Sequence, residues 1–145
     1  MQTSNRGIAL IKSFEGLRLK AYKCSAGIWT IGYGHTNRVR EGQTITEEEA
    51  ESLLREDLRT FEVGVSSLVT VFLHQCQFDA LVSFAFNLGV GALKTSTLLK
   101  KINGRASMDD IRKEWVKWCH AGGKVVAGLQ KRRNKEVDIF TNGYK

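Results

Sequence analysis

The chain has 145 residues, of which 42% are hydrophobic and 26% are charged, a balance that is typical of one globular domain. It contains no apolar run near the roughly 20 residues that a membrane-spanning helix needs, and its first residues lack the basic and apolar segments of a secretory signal. The 22 basic and 15 acidic side chains give a net charge of +7, so the expected partners are polyanions: nucleic acid, an anionic membrane surface or an anionic cell wall.

The first predicted helix runs from near Ser4 to Glu15. Ser4 is suited to the N-cap position, and Gly16 suits the left-handed conformation that ends many helices. Apolar residues recur between them at helical spacing, namely Ile8, Ile11 and Phe14. Residues 17–45 have no 3.6-residue period and are dense in Gly, Thr and aromatic residues, which predicts short strands and tight turns.

A second helix begins after Thr46, which is expected to form a capping box with Glu49. Its apolar stripe consists of Ala50, Leu53, Leu54, Leu58 and Phe61. Residues 77–88 are apolar on nearly every side. They therefore predict a buried central helix, which Gly89 would end.

Three further helices complete the predicted order. One ends at Gly104, and another opens with a capping box of Ser107 and Asp110. The last helix follows Gly122–Gly123 and is strongly basic. The apolar residues expected to face inward are Leu129, Val137 and Phe140. The basic residues expected to face largely outward are Lys131, Arg132, Arg133 and Lys135.

These elements predict an α+β fold in which strands and helices are segregated. We find no internal repeat, linker or low-complexity tract, so the chain is expected to form a single domain. A small strand-rich lobe would cover about residues 16–46. A larger helical lobe would combine residues 1–15 with residues 47–145 and surround the central helix.

The cysteine pattern does not predict a disulfide framework or a zinc site. Cys24, Cys76 and Cys119 are odd in number and widely spaced. The sequence also lacks a cluster of metal-ligand residues and a nucleotide-binding glycine loop. We therefore expect no metal and no cofactor.

Glu15 is a candidate for acid catalysis. It stands at the predicted C-terminal end of the first helix, where the negative end of the helix dipole disfavours an ionised carboxylate. Glycoside hydrolysis needs a carboxylic acid of this kind, which can protonate the leaving oxygen. A solvated glutamate at a helix end is the alternative, and position alone favours that alternative.

Three segments together resemble the phage-type lysozymes, the glycoside hydrolases that include many phage endolysins. FEGLRLKAYKCSAGIWTIGYGHT contains a Glu, eight residues, a Cys, five residues and a Thr, which here are Glu15, Cys24 and Thr30. QFDALVSFAFNLGVGAL resembles the central-helix segment of the family. WVKWCHAGGKVVAGLQKRRNKEVDIF resembles its closing region. The resemblance covers essentially the whole chain in the right order and implies a lysozyme-like fold.

The resemblance implies a muramidase that hydrolyses the β-1,4 bond between N-acetylmuramic acid and N-acetylglucosamine in peptidoglycan. It implies that Glu15 is the general acid, that Thr30 helps to hold the attacking water, and that Cys24 stands where the family usually carries an aspartate. An ordinary thiol is mostly neutral at pH 7 and has no second oxygen to orient water. A cation such as Lys23 can favour the thiolate. A passive Cys24 beside a site driven by Glu15 is the alternative.

The resemblance also implies a saccharide groove. Its candidate contacts are Gly34, His35, Thr36, Phe86, Asn87 and Ser96. Gly34 would let a sugar approach the backbone closely. Structural roles compete at three positions, because His35 is more often structural in such a place, Phe86 can be a core residue, and Ser96 can cap a helix.

Arg132 matches a family arginine that pairs with the catalytic glutamate. Such a contact would favour the ionised form of Glu15 and oppose the effect of the helix dipole. For Arg133 and Lys135 a solvated basic face is expected.

Three other functions stay open. A basic module could bind nucleic acid through residues 131–135, but no helix-turn-helix, zinc or strand-borne aromatic motif supports it, and no nucleic acid is expected. A family member could bind peptidoglycan and cleave it poorly, because Cys24 replaces a carboxylate. A lytic transglycosylase would need only the acid and would release a cyclised product.

The positive net charge fits peptidoglycan as the partner, since sacculi carry anionic stem peptides and often anionic polymers. We expect a monomer without stable insertion in a membrane. A phage endolysin without an export signal would stay in the host cytoplasm until a separate membrane pore releases it to the cell wall.

Overall fold

The computed structural model describes residues 1–144, in which seven helices and two small antiparallel sheets form the fold. The helices are α1 (Asn5–Glu15), α2 (Glu47–Leu68), α3 (Gln75–Leu88), α4 (Val90–Thr95), α5 (Thr97–Asn103), α6 (Met108–Trp115) and α7 (Ala127–Asn142). The strands are β1 (Arg18–Lys23), β2 (Trp29–Gly32), β3 (His120–Ala121) and β4 (Lys124–Val125). This arrangement confirms the predicted α+β fold. No helix within residues 1–144 is long and apolar enough to cross a bilayer.

The predicted helix caps are present. The Ser4 hydroxyl accepts a hydrogen bond from the Gly7 amide at 3.1 Å, so α1 begins one residue later, at Asn5. Thr46 and Glu49 form a reciprocal capping box at the start of α2, with both hydrogen bonds at 3.1 Å. These contacts satisfy backbone amides that have no partner within the helix.

The strands β1 and β2 form an antiparallel hairpin in which Tyr22 lies opposite Thr30. The register shifts within this hairpin, as at a β-bulge. An isolated bridge between Ile31 and His35 then turns the chain back beside β2. The hairpin therefore holds Thr30 in a regular strand and brings the following turn close to the end of α1.

A second hairpin, formed by β3 and β4, was not predicted from the sequence. Its turn consists of Gly122 and Gly123, which have φ values of 59° and 76°. A two-residue hairpin turn of type I′ needs a positive φ at both central positions, which glycine adopts without steric cost. From the sequence alone, the glycine pair predicts only a boundary before the last helix.

Helix α3 is the centre of the core. Every residue from Phe78 to Ala85 is buried, and α3 contacts α1, α2, α4 and α7. The helix begins at Gln75, two residues before the predicted start, and ends before Gly89 as predicted. The continuous burial agrees with the absence of a polar face in this segment.

The prediction that the basic residues of the last helix face outward is wrong for two of them. Arg132 is 5% exposed and Arg133 is fully buried, whereas Lys131 and Lys135 are exposed. A guanidinium group can be buried when carboxylates pair with it. Glu136, on the same helix, is also fully buried and provides such a partner for both arginines.

Helices α1 and α3 approach each other closely at Gly7. A Cβ atom added at this position would lie 2.6 Å from Cγ of Asp79 and 2.6 Å from Cγ2 of Thr3. We expect Gly7→Ala to lower the free energy of unfolding by about 1–3 kcal/mol, because the helices must move apart. Denaturant unfolding measures this change.

Gly128→Ala provides the matched control, since Gly128 also lies in a helix and an added Cβ would meet no atom within 4 Å. It should leave stability unchanged or raise it by up to about 1 kcal/mol, as expected from helix propensity. Equal effects of the two substitutions would contradict the close approach of α1 and α3.

Candidate active site

A cleft of about 610 Å³ lies where the end of α1, the turn after β2, and helices α2 and α3 meet. Its lining residues are Glu15, Gly34, Thr36, Asn37, Glu56, Asp57, Thr60, Phe61 and Phe86. Four of the predicted site residues are therefore brought together here: Glu15, Gly34, Thr36 and Phe86. The other predicted residues near the motif, Cys24 and Thr30, are not among its lining residues. A groove of about 710 Å³ along α1 and α7 is larger, but none of the predicted site residues line it.

Glu15 is the last residue of α1, and 22% of its side chain is exposed. Its Oε2 atom accepts a hydrogen bond from Nη1 of Arg132 at 2.6 Å. Its Oε1 atom faces Gly34, where an added Cβ would lie 3.7 Å away. One carboxylate oxygen is thus held by a cation, and the other faces the cleft.

Arg132 reaches Glu15 from α7, 117 residues further along the chain. Its guanidinium group lies over the Phe14 ring, 4.7 Å from the centroid. Its Nη2 atom donates to the Ser83 carbonyl oxygen at 3.1 Å, and its Nε atom donates to Glu136 at 3.2 Å. The arginine is therefore held on three sides, and its contact with Glu15 is the one expected from the family.

Cys24 lies in a tight turn after β1. Its amide donates to the Ile28 carbonyl oxygen at 3.0 Å, and its own carbonyl accepts from the Gly27 amide at 2.8 Å. Hydrogen bonds from the backbone at Ile28 and then at Ala26 lower the pKa of the Cys24 thiol, with a smaller contribution from the Thr30 hydroxyl. Burial opposes this shift. The thiol and the Thr30 side chain are thus neighbours.

The structure gives Lys23 an aromatic partner instead of the Cys24 thiol. The Lys23 ammonium group lies over the Trp29 ring, 5.4 Å from its centroid, and is not among the causes that lower the pKa of Cys24. Lys23 is the last residue of β1 and Cys24 begins the turn, so their adjacency in sequence does not by itself pair their side chains. Thr30 is only 4% exposed, and its hydroxyl donates to the Ile28 carbonyl oxygen at 3.0 Å.

His35 lies beside the cleft without lining it. Its Nδ1 atom is 2.8 Å from an oxygen of Asp57, and its Nε2 atom is 2.9 Å from the Asn37 carbonyl oxygen. His35 is 8% exposed, and both of its ring nitrogens have partners inside the protein. These contacts tie the turn after β2 to α2 and favour the structural role for His35.

Asn87 and Ser96 also lie outside the cleft lining. The Asn87 side-chain oxygen accepts from Nη2 of Arg133 at 2.8 Å. Ser96 is 3% exposed, and its hydroxyl accepts from the Leu99 amide at 3.0 Å and donates to the Leu93 carbonyl oxygen at 2.7 Å. The structure favours the helix cap for Ser96. Neither side chain has its polar oxygen directed to a sugar in the cleft.

One wall of the cleft was not predicted from the sequence. It is formed by four residues of α2, namely Glu56, Asp57, Thr60 and Phe61. The Phe61 ring packs edge-on against the Phe86 ring at a centroid distance of 5.3 Å. Two pairs within this set are spaced by four residues, which places them on one helix face. The four-residue spacing is visible in the sequence, but no nearby sequence feature indicates that this helix face borders a cleft.

Comparison with known proteins gives the family. The family model for phage lysozyme matches residues 12–136. The chain belongs to the phage lysozyme family. This membership confirms the resemblance and the predicted class of enzyme, a glycoside hydrolase of the lysozyme type.

Individual relatives support this placement. The chain is 51% identical over 145 residues to the endolysin of Salmonella phage P22, with 97% of this chain and 98% of that protein covered. It is 51% identical over 146 residues to the endolysin of Bacillus phage B103, and it spans only 55% of that longer protein. The solved muramidase domain of SpmX from Asticaccaulis excentricus is 42% identical, with a TM-score of 0.89 and coverage of 96% of this chain and 97% of that one.

We expect Cys24 to be alkylated by iodoacetamide before Cys76 and Cys119. The thiolate is the nucleophile, and a lowered pKa means that the thiolate forms at a lower pH; Cys119 is also buried. Peptide mass spectrometry over a pH series measures the three rates. The Thr30 hydroxyl donates to the Ile28 carbonyl oxygen and can turn its proton to the thiolate once that forms, so Thr30→Val should move the rise in the Cys24 rate to higher pH. A Cys24 rate that rises only over the pH range of an ordinary thiol would contradict the lowered pKa.

Proposed function

We propose that this chain hydrolyses bacterial peptidoglycan at the β-1,4 bond between N-acetylmuramic acid and N-acetylglucosamine. The observation that carries the proposal is the position of Glu15, a partly buried carboxylate with one oxygen on Arg132 and the other facing the cleft. The substrate is inferred from the family, since the relatives are endolysins and a muramidase domain.

Glu15 is proposed as the general acid. Because Oε2 is held by Arg132, Oε1 is the oxygen that can carry a proton to the glycosidic oxygen. Loss of this proton leaves a carboxylate, which the guanidinium group stabilises. The absence of a side chain at Gly34 leaves room for a sugar beside the acid.

Cys24 and Thr30 are proposed to hold and activate the attacking water. The Thr30 hydroxyl donates its proton to the Ile28 carbonyl oxygen, so its lone pairs can accept from a water molecule. The lowered pKa of Cys24 raises the fraction of thiolate, which can accept the proton that the water loses. In place of the aspartate, a thiolate at this position would offer one acceptor atom instead of two.

The other cleft residues are proposed to bind the glycan. Thr36, Asn37 and Thr60 offer hydroxyl and amide groups for sugar hydroxyls and N-acetyl groups, while Phe61 and Phe86 offer an apolar surface. The net charge of +7 draws the protein to anionic cell walls. In a phage, the protein would act on the wall after its release from the host cytoplasm, and we expect it to act as a monomer.

We expect wild-type protein to clear a suspension of bacteria with permeabilised outer membranes, and Glu15→Gln to be slower by about 100-fold or more, as for loss of a general acid. Cys24→Ser should be slowed, because serine does not ionise at neutral pH. Cys24→Asp should regain activity, because it restores the carboxylate of the family. Turbidity and release of reducing ends, measured under reducing conditions, give these rates.

Cys76→Ser is the matched control for thiol loss, and it should retain the wild-type rate, because Cys76 lies in the first turn of α3 and Phe86, the residue of α3 that lines the cleft, lies near the other end of that helix. If folded wild type and Glu15→Gln are equally inert, the proposal is wrong, and the chain is a peptidoglycan binder or an inactive homologue. Equal rates for Cys24→Ser and wild type would make Cys24 a passive residue.

A further inference from the structure

We propose that the buried carboxylate of Glu136 is a positioning residue for the acid step, which orients Arg132 and offsets its charge beside Glu15. This inference rests on the proposed function, because it needs Glu15 as the general acid. Glu136 does not line the cleft and touches neither Glu15 nor the space where a glycan would bind. Its effect is therefore transmitted through Arg132.

The carboxylate of Glu136 is fully buried and saturated with donors. Its Oε2 atom accepts from the Ser83 hydroxyl at 2.5 Å, from Nε of Arg132 at 3.2 Å and from Nη2 of Arg133 at 3.1 Å. Its Oε1 atom accepts from the Trp115 indole nitrogen at 3.1 Å and lies 2.8 Å from Nε of Arg133. Donors from α3, α6 and α7 thus fix both oxygens.

This arrangement determines which way Arg132 points. A guanidinium group is a rigid planar fork, so fixing one edge fixes the direction of the others. The Nε atom is held by Glu136 and Nη2 by the Ser83 carbonyl oxygen, which leaves Nη1 directed at Glu15. Without the carboxylate of Glu136, the Nε edge has no anionic partner and this direction is no longer imposed.

A charge cluster is formed by Glu15, Glu136 and the two arginines, and its net charge affects acid catalysis. Arg132 and Arg133 carry two positive charges, and Glu136 provides one negative charge between them. Glu15 provides the second negative charge when it is ionised. Protonation of Glu15 therefore leaves the cluster at +1. If Glu136 were neutral, protonation would leave two uncompensated positive charges and would be strongly disfavoured.

The other charged groups near Glu15 do not replace this effect. Glu56 and Asp57 of α2 share the cleft with Glu15, and Asp57 is already paired with His35. The remaining groups that hold Glu136 are neutral, namely a hydroxyl and an indole. Glu136 is thus the carboxylate that shares the charge of Arg132 with Glu15.

The test compares wild type with Glu136→Gln, using solubilised glycan strands over a pH series. The neutral amide leaves Arg132 and Arg133 uncompensated, so Glu15 should lose its proton at lower pH. We expect the alkaline limb of the kcat profile to move down by roughly one pH unit. At a pH on that limb, kcat should fall about tenfold for each unit of movement, while KM stays near its wild-type value.

Asp79→Asn is the matched control, because Asp79 is a fully buried carboxylate outside the cleft and outside the arginine cluster. Its partners are Ser4, Gln75 and Tyr144. Both substitutions should lower the melting temperature, but only Glu136→Gln should move the alkaline limb. An unshifted limb in folded Glu136→Gln, or the same movement in Asp79→Asn, would overturn the proposal.

Glu136→Asp covers the case in which Glu136→Gln does not fold. It keeps the negative charge but shortens the side chain, so kcat should fall through loss of orientation while the alkaline limb stays in place. A wild-type kcat for folded Glu136→Asp would contradict the positioning role. Glu15→Gln in the same series separates the two proposals. If wild type is as inert as this variant, the proposed function fails. If wild type is active and the Glu136 variants behave like it, only the inference about Glu136 fails.

Discussion

The pairing of buried charges between α1 and α7 is the constraint on which the rest of the site depends. Taking an ion out of water costs several kcal/mol, so two buried arginines require nearby carboxylates and further hydrogen bonds. Glu136 and Glu15 provide the carboxylates, and Ser83 on α3 provides neutral partners. The same contacts that make burial of the arginines possible also place the Arg132 guanidinium group beside Glu15 at the end of α1. The same ion pairs therefore stabilise the core and position the Glu15 carboxylate.

The parts of the fold that follow local patterns could be predicted from the sequence. Ser4 and Thr46 cap their helices because short-range hydrogen bonds decide helix starts. The central helix is buried along its length because its residues have no polar face. Cleft residues close to the first helix in sequence, such as Gly34 and Thr36, were found through the family motif.

The features of the fold and the site that depend on contacts between distant segments could not be predicted from local sequence patterns. Arg133 looks like a surface residue in sequence, because burial of a charge depends on partners that only the tertiary structure supplies. The spacing of Arg132 and Glu136 fits an ion pair on one helix turn, yet it does not say whether that pair is buried. The cause of the lowered pKa of Cys24 lies in backbone amides of a tight turn, which side-chain patterns do not show.

We propose that this chain cleaves the bond after N-acetylmuramic acid by attack of water, with Glu15 as the acid. The most direct test is mass spectrometry of the soluble products of peptidoglycan digestion, with and without borohydride reduction. Hydrolysis at this bond predicts products that end in reducible N-acetylmuramic acid. Products that end in 1,6-anhydro-N-acetylmuramic acid would show transglycosylation, and products that end in reducible N-acetylglucosamine would show cleavage of the other bond; either result would contradict the account.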